Sequence, residues 1–328
     1  MDSRAGIEPG PRATWVGWLC AAVVLCIWSS FILVARSSAS RTLSPFDIAF
    51  LRFAVSGVVL IGLGWWWRRR KPPLASEWRG GLPAARWAGL GLSAGVAYCG
   101  FAYSAFFFAP AAHGAVLLPG SLPLWTAVMA WLLLGERSGR QRLAGLALIV
   151  AGDLLVGGAS LLHAFDGGTV WIGDLLLLCG SMSWGLYTVL CRRWRVTAVE
   201  ATLAIGSFCL VTAVPLYALG VLGGVIPSGL HAAPWSEIVF QGLYQGLFAM
   251  IIAGMAYTQV VATFGPVRST MITALVPPIA ALAAVPLLGE ALVPTTLLGL
   301  ACVTGGLLLG LRAALPRTAP LPRPEGAT

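Results

Sequence analysis

The chain has 328 residues, 58% of them apolar and only 10% charged, and its mean hydropathy is +0.85. Soluble domains carry about 25% charged residues, so a cytosolic enzyme, a disordered tail and a disulfide scaffold are excluded and a polytopic α-helical membrane protein remains. The net charge of +9 does not point to nucleic acid, because the basic residues sit between apolar runs and form no continuous stripe.

A transmembrane helix takes roughly 20 apolar residues. In chain order, the apolar runs predict ten spans, at 15–35, 46–67, 87–108, 112–134, 140–158, 171–191, 199–222, 238–262, 266–288 and 293–311. The first is too long for a signal-peptide core and is read as a retained span. None of the runs alternates polar and apolar residues as a porin strand would. Cys20, Cys26, Cys99, Cys179, Cys191, Cys209 and Cys302 form no C-x-x-C pair and are read as small packing residues. His113, His163 and His231 lack metal-ligand spacing. The glycines form neither a phosphate loop nor a dinucleotide fingerprint, and no nucleophile elbow is present. Neither metal nor cofactor is expected, and a membrane-embedded enzyme is the disfavoured alternative.

Cytoplasmic loops retain Lys and Arg. With the N-terminus inside, 18 of the 21 basic residues fall on the inner face, Arg36 and Arg41 fall outside, and Arg52 lies within the second span. The split favours an even number of spans with both ends cytoplasmic. Trp65, Trp66 and Trp67, beside Arg68–Lys71, read as an inner interfacial belt.

The halves of the chain match each other. Gly100-Phe-Ala-Tyr103 aligns with Gly254-Met-Ala-Tyr257, Pro123 with Pro277, and Leu134-Gly135-Glu136 with Leu288-Gly289-Glu290, all at an offset of 154. Trp28 and Arg36 align with Trp184 and Arg192 at an offset of 156. Leucine-rich segments match by chance, whereas a constant offset across Gly, Tyr, Pro and Glu landmarks does not. Five spans is an odd number, so the second copy is inverted relative to the first, which is the arrangement that supports alternating access around a midplane site. The expected organisation is a cytoplasmic tail over 1–14, a five-helix repeat over 15–160, a second over 171–312 and a Pro-rich cytoplasmic tail over 313–328.

The stretch Ala105–Gly152, its degenerate copy around Pro277 and Leu288-Gly289-Glu290, and the Leu-Arg-Phe of Leu51–Phe53 resemble the EamA domain of the drug/metabolite transporter superfamily. The likeness covers about residues 15–312. It implies a ten-helix carrier in a bacterial inner membrane that moves small organic metabolites, with export of amino acid-like solutes as the leading expectation and export of drugs or cationic compounds as the alternative. One departure is that Ala291-Leu-Val-Pro294 follows the second Leu-Gly-Glu, where many members keep a Lys or Arg.

Ionisable groups inside the bilayer are costly and are functional candidates by default. Arg52 is expected either to pair with Asp47 or Asp153 or to hold a substrate carboxylate. Asp153 and Asp174 are placed near the outer interface, and Glu136 and Glu290 at helix ends. Trp28, Tyr103, Trp125, Trp184, Tyr187, Tyr244, Gln245, Tyr257 and Gln259 fall inside spans 1, 3, 4, 6 and 8, and form the candidate substrate-binding set. Gln241 and Gln245 share a helix face. Pro123, Pro277 and Pro278 are expected to kink spans 4 and 9. Gly91-x-x-x-Gly95, Gly242-x-x-x-Gly246 and Gly306-x-x-x-Gly310 permit close helix packing, within the chain or in a homodimer.

Overall fold

The computed structural model describes residues 11–68, 79–162 and 167–314, and these are helical with short connections. The terminal tails, Arg69–Lys71, His163 and the side chains of Trp65, Trp66 and Trp67 lie outside the described residues. Among the described residues there are ten helical spans: α1 (Pro11–Ser38), α2 (Pro45–Arg68), α3 (84–105), α4 (Ala111–Leu134), α5 (Arg140–Leu162), α6 (Val170–Trp194), α7 (Ala198–Leu222), α8 (Trp235–Gly265), α9 (Arg268–Leu288) and α10 (Pro294–Ala314). Nine of them are long and apolar enough to cross a bilayer by themselves. The exception is α3, where Gly91, Ser93, Gly95, Tyr98, Gly100, Tyr103 and Ser104 dilute the apolar residues.

The repeat is written into the backbone. Gly135 and Gly289 end α4 and α9 in the left-handed conformation, at φ 68° and ψ 14° and at φ 68° and ψ 16°, a region where a side chain would be strained. Both α3 and α8 contain a widened π-helical stretch, at Gly91–Ala97 and Gly242–Ile252. The regular helix of α4 is interrupted at Ser121 and that of α9 at Leu275, 154 residues apart, with Pro123 and Pro277 in the first turn that follows. Proline cannot donate the hydrogen bond that would continue the preceding turn, so each helix breaks just ahead of it.

The two copies interlock. From the second copy, α8 and α9 pack on α1, and α8 also packs on α2. From the first copy, α3 and α4 pack on α6, and α3 also packs on α7. The last helices of the copies, α5 and α10, form the most extensive pairing in the molecule. There a Cβ at Gly152 would stand 2.6 Å from the Gly299 carbonyl oxygen, and one at Gly306 would stand 2.5 Å from that of Gly145. Every Gly-x-x-x-Gly pair expected from the sequence is used inside the chain: Gly91 and Gly95 against Phe208 and Cys209, Gly242 and Gly246 against Val55, and Gly306 and Gly310 against Gly145.

Candidate functional site

Close approach of α8 to α2 at Gly242 and Gly246 brings polar side chains of four helices into register. A Cβ at Gly246 would meet Val55 at 2.7 Å and the Arg52 carbonyl at 3.1 Å. Across this contact Arg52, 7% exposed, donates from Nη1 to the Tyr103 hydroxyl at 3.3 Å. Tyr103 donates to Gln245 Oε1 at 2.9 Å, Gln245 Nε2 to Gln241 Oε1 at 3.3 Å, and Gln241 Nε2 to Ser38 Oγ at 2.7 Å. Ser38 donates to the Val34 carbonyl within α1. All five side chains are buried. The relay joins α2, α3, α8 and α1, and every bond runs away from the guanidinium.

The expected pairing of Arg52 with Asp47 or Asp153 is not what the structure contains. Asp47 accepts from the Tyr217 hydroxyl and from the backbone N–H groups of Ser44, at 2.8 Å, and Gly229, at 2.8 Å. These donors tie α2, α7 and the α7–α8 connection together and leave the carboxylate no need of a cation. Asp153 has both oxygens buried without a hydrogen-bond partner among the described residues. Asp174, expected near the outer interface, is a buried side chain. It takes His113 Nδ1 at 2.9 Å and the Ser160 hydroxyl, linking α4, α5 and α6. This cluster left no sequence signal, because its members lie 14 and 61 residues apart.

Among the aromatic candidates two ring clusters form, one between α1 and α8 and one between α3 and α6. Trp28 of α1 and Tyr257 of α8 have ring centroids 5.1 Å apart. Trp184 of α6 lies 4.7 Å from Tyr98 of α3 and 5.1 Å from Tyr187. These rings are half-buried. Trp28 and Trp184 are thus equivalent by position and by environment, whereas Tyr103 and Tyr257 are not. Tyr103 leaves its aromatic counterpart for the Arg52 relay and meets Phe31 at 5.8 Å instead, and Tyr98, one turn earlier and not anticipated, faces Trp184. Trp125 packs against Gly185 of α6, with its ring N–H buried and unpartnered among the described residues. Tyr244 donates to the Ile27 carbonyl at 3.0 Å and shares a 2.6 Å bond with Ser30. Gln259 stays apart from the rest, exposed and bonded to Thr263 one turn further along at 3.2 Å.

At the helix ends the two matched Leu-Gly-Glu motifs do more than cap. Glu290 Oε1 pairs with Arg36 Nε at 2.9 Å, and Glu136 Oε1 with Arg192 Nη2 at 2.6 Å. Each pair joins one repeat to the other, and the two pairs are images of each other under the repeat. They differ in depth. Glu290 and Arg36 side chains are 14% and 31% exposed, against 43% and 50% for Glu136 and Arg192. Glu290 also accepts from the Ala111 N–H at 2.8 Å and Arg36 also donates to the Phe106 carbonyl at 2.9 Å, so the deeper pair grips the α3–α4 turn as well.

The interlocked helical repeats, nine of whose helices are long and apolar enough to cross a bilayer, define a multi-pass membrane protein. The chain belongs to the EamA-like transporter family, whose model matches residues 15–158 and 171–312. It is 25% identical to an uncharacterized transporter of Archaeoglobus fulgidus over 73% of this chain and 79% of that one. It is also 25% identical to the chloroplastic WAT1-related protein At3g02690 of Arabidopsis thaliana, over 79% of this chain and 57% of the relative. A protein of Pseudomonas aeruginosa, PA1977, is 33% identical over 64% of this chain and 68% of its own length. One solved protein structure shares the fold at a TM-score of 0.57 and 22% identity, covering 91% of this chain and 96% of the other.

Proposed function

We propose that the protein is a secondary carrier of the bacterial inner membrane that exports small amino acid-like metabolites by alternating access, with both termini in the cytoplasm. The observation that carries this reading is the pair of symmetry-related ion pairs, Arg36–Glu290 and Arg192–Glu136, each closing one end of a helix bundle built from both repeats. An inverted repeat turns one end of the molecule into the image of the other. The unequal depth of the two pairs is what one end closed and the other loosened would give. Between the ends, Trp28, Tyr257, Trp184, Tyr187 and Trp125 offer ring faces to the apolar part of a solute, while Tyr103 and Gln245 hold Arg52 in place and Tyr244 ties α8 to α1.

Purified protein in liposomes, loaded with each of the twenty amino acids in turn, tests the reading. Accumulation of at least one solute above protein-free liposomes is expected. A protein that moves quaternary ammonium dyes and no amino acid would instead favour the cation-exporter alternative, for which the unpartnered Asp153 carboxylate is the supporting observation.

A further inference from the structure

Arg52 has five N–H donors in a fixed fork, and the described protein engages one of them, with a neutral hydroxyl. Of the carboxylates that could neutralise it, Asp47 is committed to Tyr217, Asp174 to His113, Glu290 to Arg36 and Glu237 to the Leu43 N–H, and Asp153, though uncommitted, makes no ion pair or hydrogen bond with it among the described residues. A guanidinium nine-tenths buried in a membrane protein without a counter-ion is a high-energy arrangement, and here it is also a preorganised one. The Tyr103–Gln245–Gln241–Ser38 relay fixes the tyrosine oxygen as an acceptor and so holds the guanidinium in place, while its remaining donors stay free. Tyr103, the partner of Arg52, and Tyr98, which belongs to the Trp184 aromatic set, lie five residues apart on α3, so one helix carries both the hold on the cation and part of the aromatic surface.

We infer that Arg52 is the anchor for the carboxylate of the transported solute, with Tyr103 and Gln245 as positioning residues; this deepens the carrier reading and rests on it for its physiological meaning. A planar carboxylate accepts two parallel N–H bonds from a guanidinium and supplies one negative charge to one positive charge. A phosphate monoester carries about two negative charges and would call for a second cation, and no Lys or other Arg among the described residues is buried beside Arg52. The ligand class is therefore a small monocarboxylate, and the amino acids with uncharged side chains fit it.

Binding can be read apart from transport, as the ligand-induced rise in melting temperature of the purified protein in detergent. The probes are the twenty amino acids, acetate and pyruvate, and, for each acid that binds, the matching carboxamide. Wild-type protein should bind at least one acid ten-fold or more tightly than its amide, with chloride at equal ionic strength giving no rise. Arg52→Gln should bring the acid down to the level of the amide, and Arg52→Lys should retain part of the preference, since charge remains but the fork is lost. Equal binding of acid and amide by the wild type, binding of no acid at all, or an undiminished preference in folded Arg52→Gln would each overturn the assignment. The comparison of acid and amide in the wild type needs no variant, so a poorly folding Arg52→Gln does not shield the proposal. Acid-selective binding without flux in liposomes would leave the anion site standing and sink the carrier reading. Flux with no preference for the acid would do the reverse.

Discussion

Tyr103 and Tyr257 stand 154 residues apart at equivalent points of the repeat, and their hydroxyls lead different lives. That of Tyr103 accepts from Arg52 and donates to Gln245, all three groups being buried. Tyr103→Phe leaves both neighbours unsatisfied in a water-poor interior, and should lower stability by about 1–3 kcal/mol. The Tyr257 hydroxyl has no hydrogen-bond partner among the described residues, and its ring meets Trp28. Tyr257→Phe should leave the melting temperature unchanged, so any loss of transport would report contact with solute. If the hydroxyl binds solute, affinity should fall by the worth of one bond, roughly 0.5–1.5 kcal/mol, and Tyr257→Ala should cost more. Unchanged flux in both variants would place Tyr257 outside the pathway. Asp153 is the opposite case, a carboxylate with two unpartnered oxygens. Replacing a buried unsatisfied group by an apolar one of similar size removes a desolvation cost. Asp153→Leu should therefore raise the melting temperature, and a lower one would reveal a partner that the carboxylate needs.

Helix packing follows from where glycine is placed. Gly145 and Gly152 of α5 lie against Gly306 and Gly299 of α10, and the offset of 154 carries one contact onto the other. At Gly152 the obstacle is the backbone of α10, which has no rotamer with which to yield. Gly152→Leu should therefore cost at least the 1–3 kcal/mol usual for overpacking, seen as a lowered melting temperature or loss of folded protein. Gly157 has open space where a Cβ would go, and Gly157→Ala should be tolerated or mildly stabilising. The ten helices were legible from the apolar runs, with ends displaced by a few residues, although α3 is less apolar than the other nine. The repeat was legible because Gly135, Gly289, Pro123 and Pro277 hold backbone positions that other residues fill poorly. The site was legible only in its members. Sequence marks Arg52 as costly in a membrane but does not tell which side chains reach it, since its relay joins residues from 38 to 245 across four helices. Repeat symmetry also misled at Tyr103, where Arg52 in the first copy has no cationic counterpart, position 206 of the second being glycine. The tyrosine turned toward the charge.

At the scale of the molecule, the two Arg–Glu pairs repeat the sequence symmetry as matched contacts between the copies. Each joins the end of the first helix of one copy to the end of the fourth helix of the other, so a change that loosens one copy against its partner at one end has a counterpart at the other. The pairs are energetically unequal. Removing one partner of a largely buried, multiply bonded pair leaves an uncompensated charge and costs about 3–5 kcal/mol when burial is complete, whereas a half-exposed pair is worth about 0–1 kcal/mol. Glu290→Gln, which also weakens the hold on Ala111 and strands Arg36, should thus lower the melting temperature clearly more than Glu136→Gln does. The inverted repeat further requires the two pairs to face opposite compartments. Reporter fusions after residues 138 and 194, beside Glu136 and Arg192, should read cytoplasmic, where the basic residues concentrate. Fusions after residues 41 and 232, the first beside Arg36 and the second in the α7–α8 connection, should read external. A cytoplasmic signal at 232 would put the start of α8 on the same side as the end of α6. That would make the second copy parallel to the first, and alternating access through exchange of the two Arg–Glu ends would lose its geometric basis.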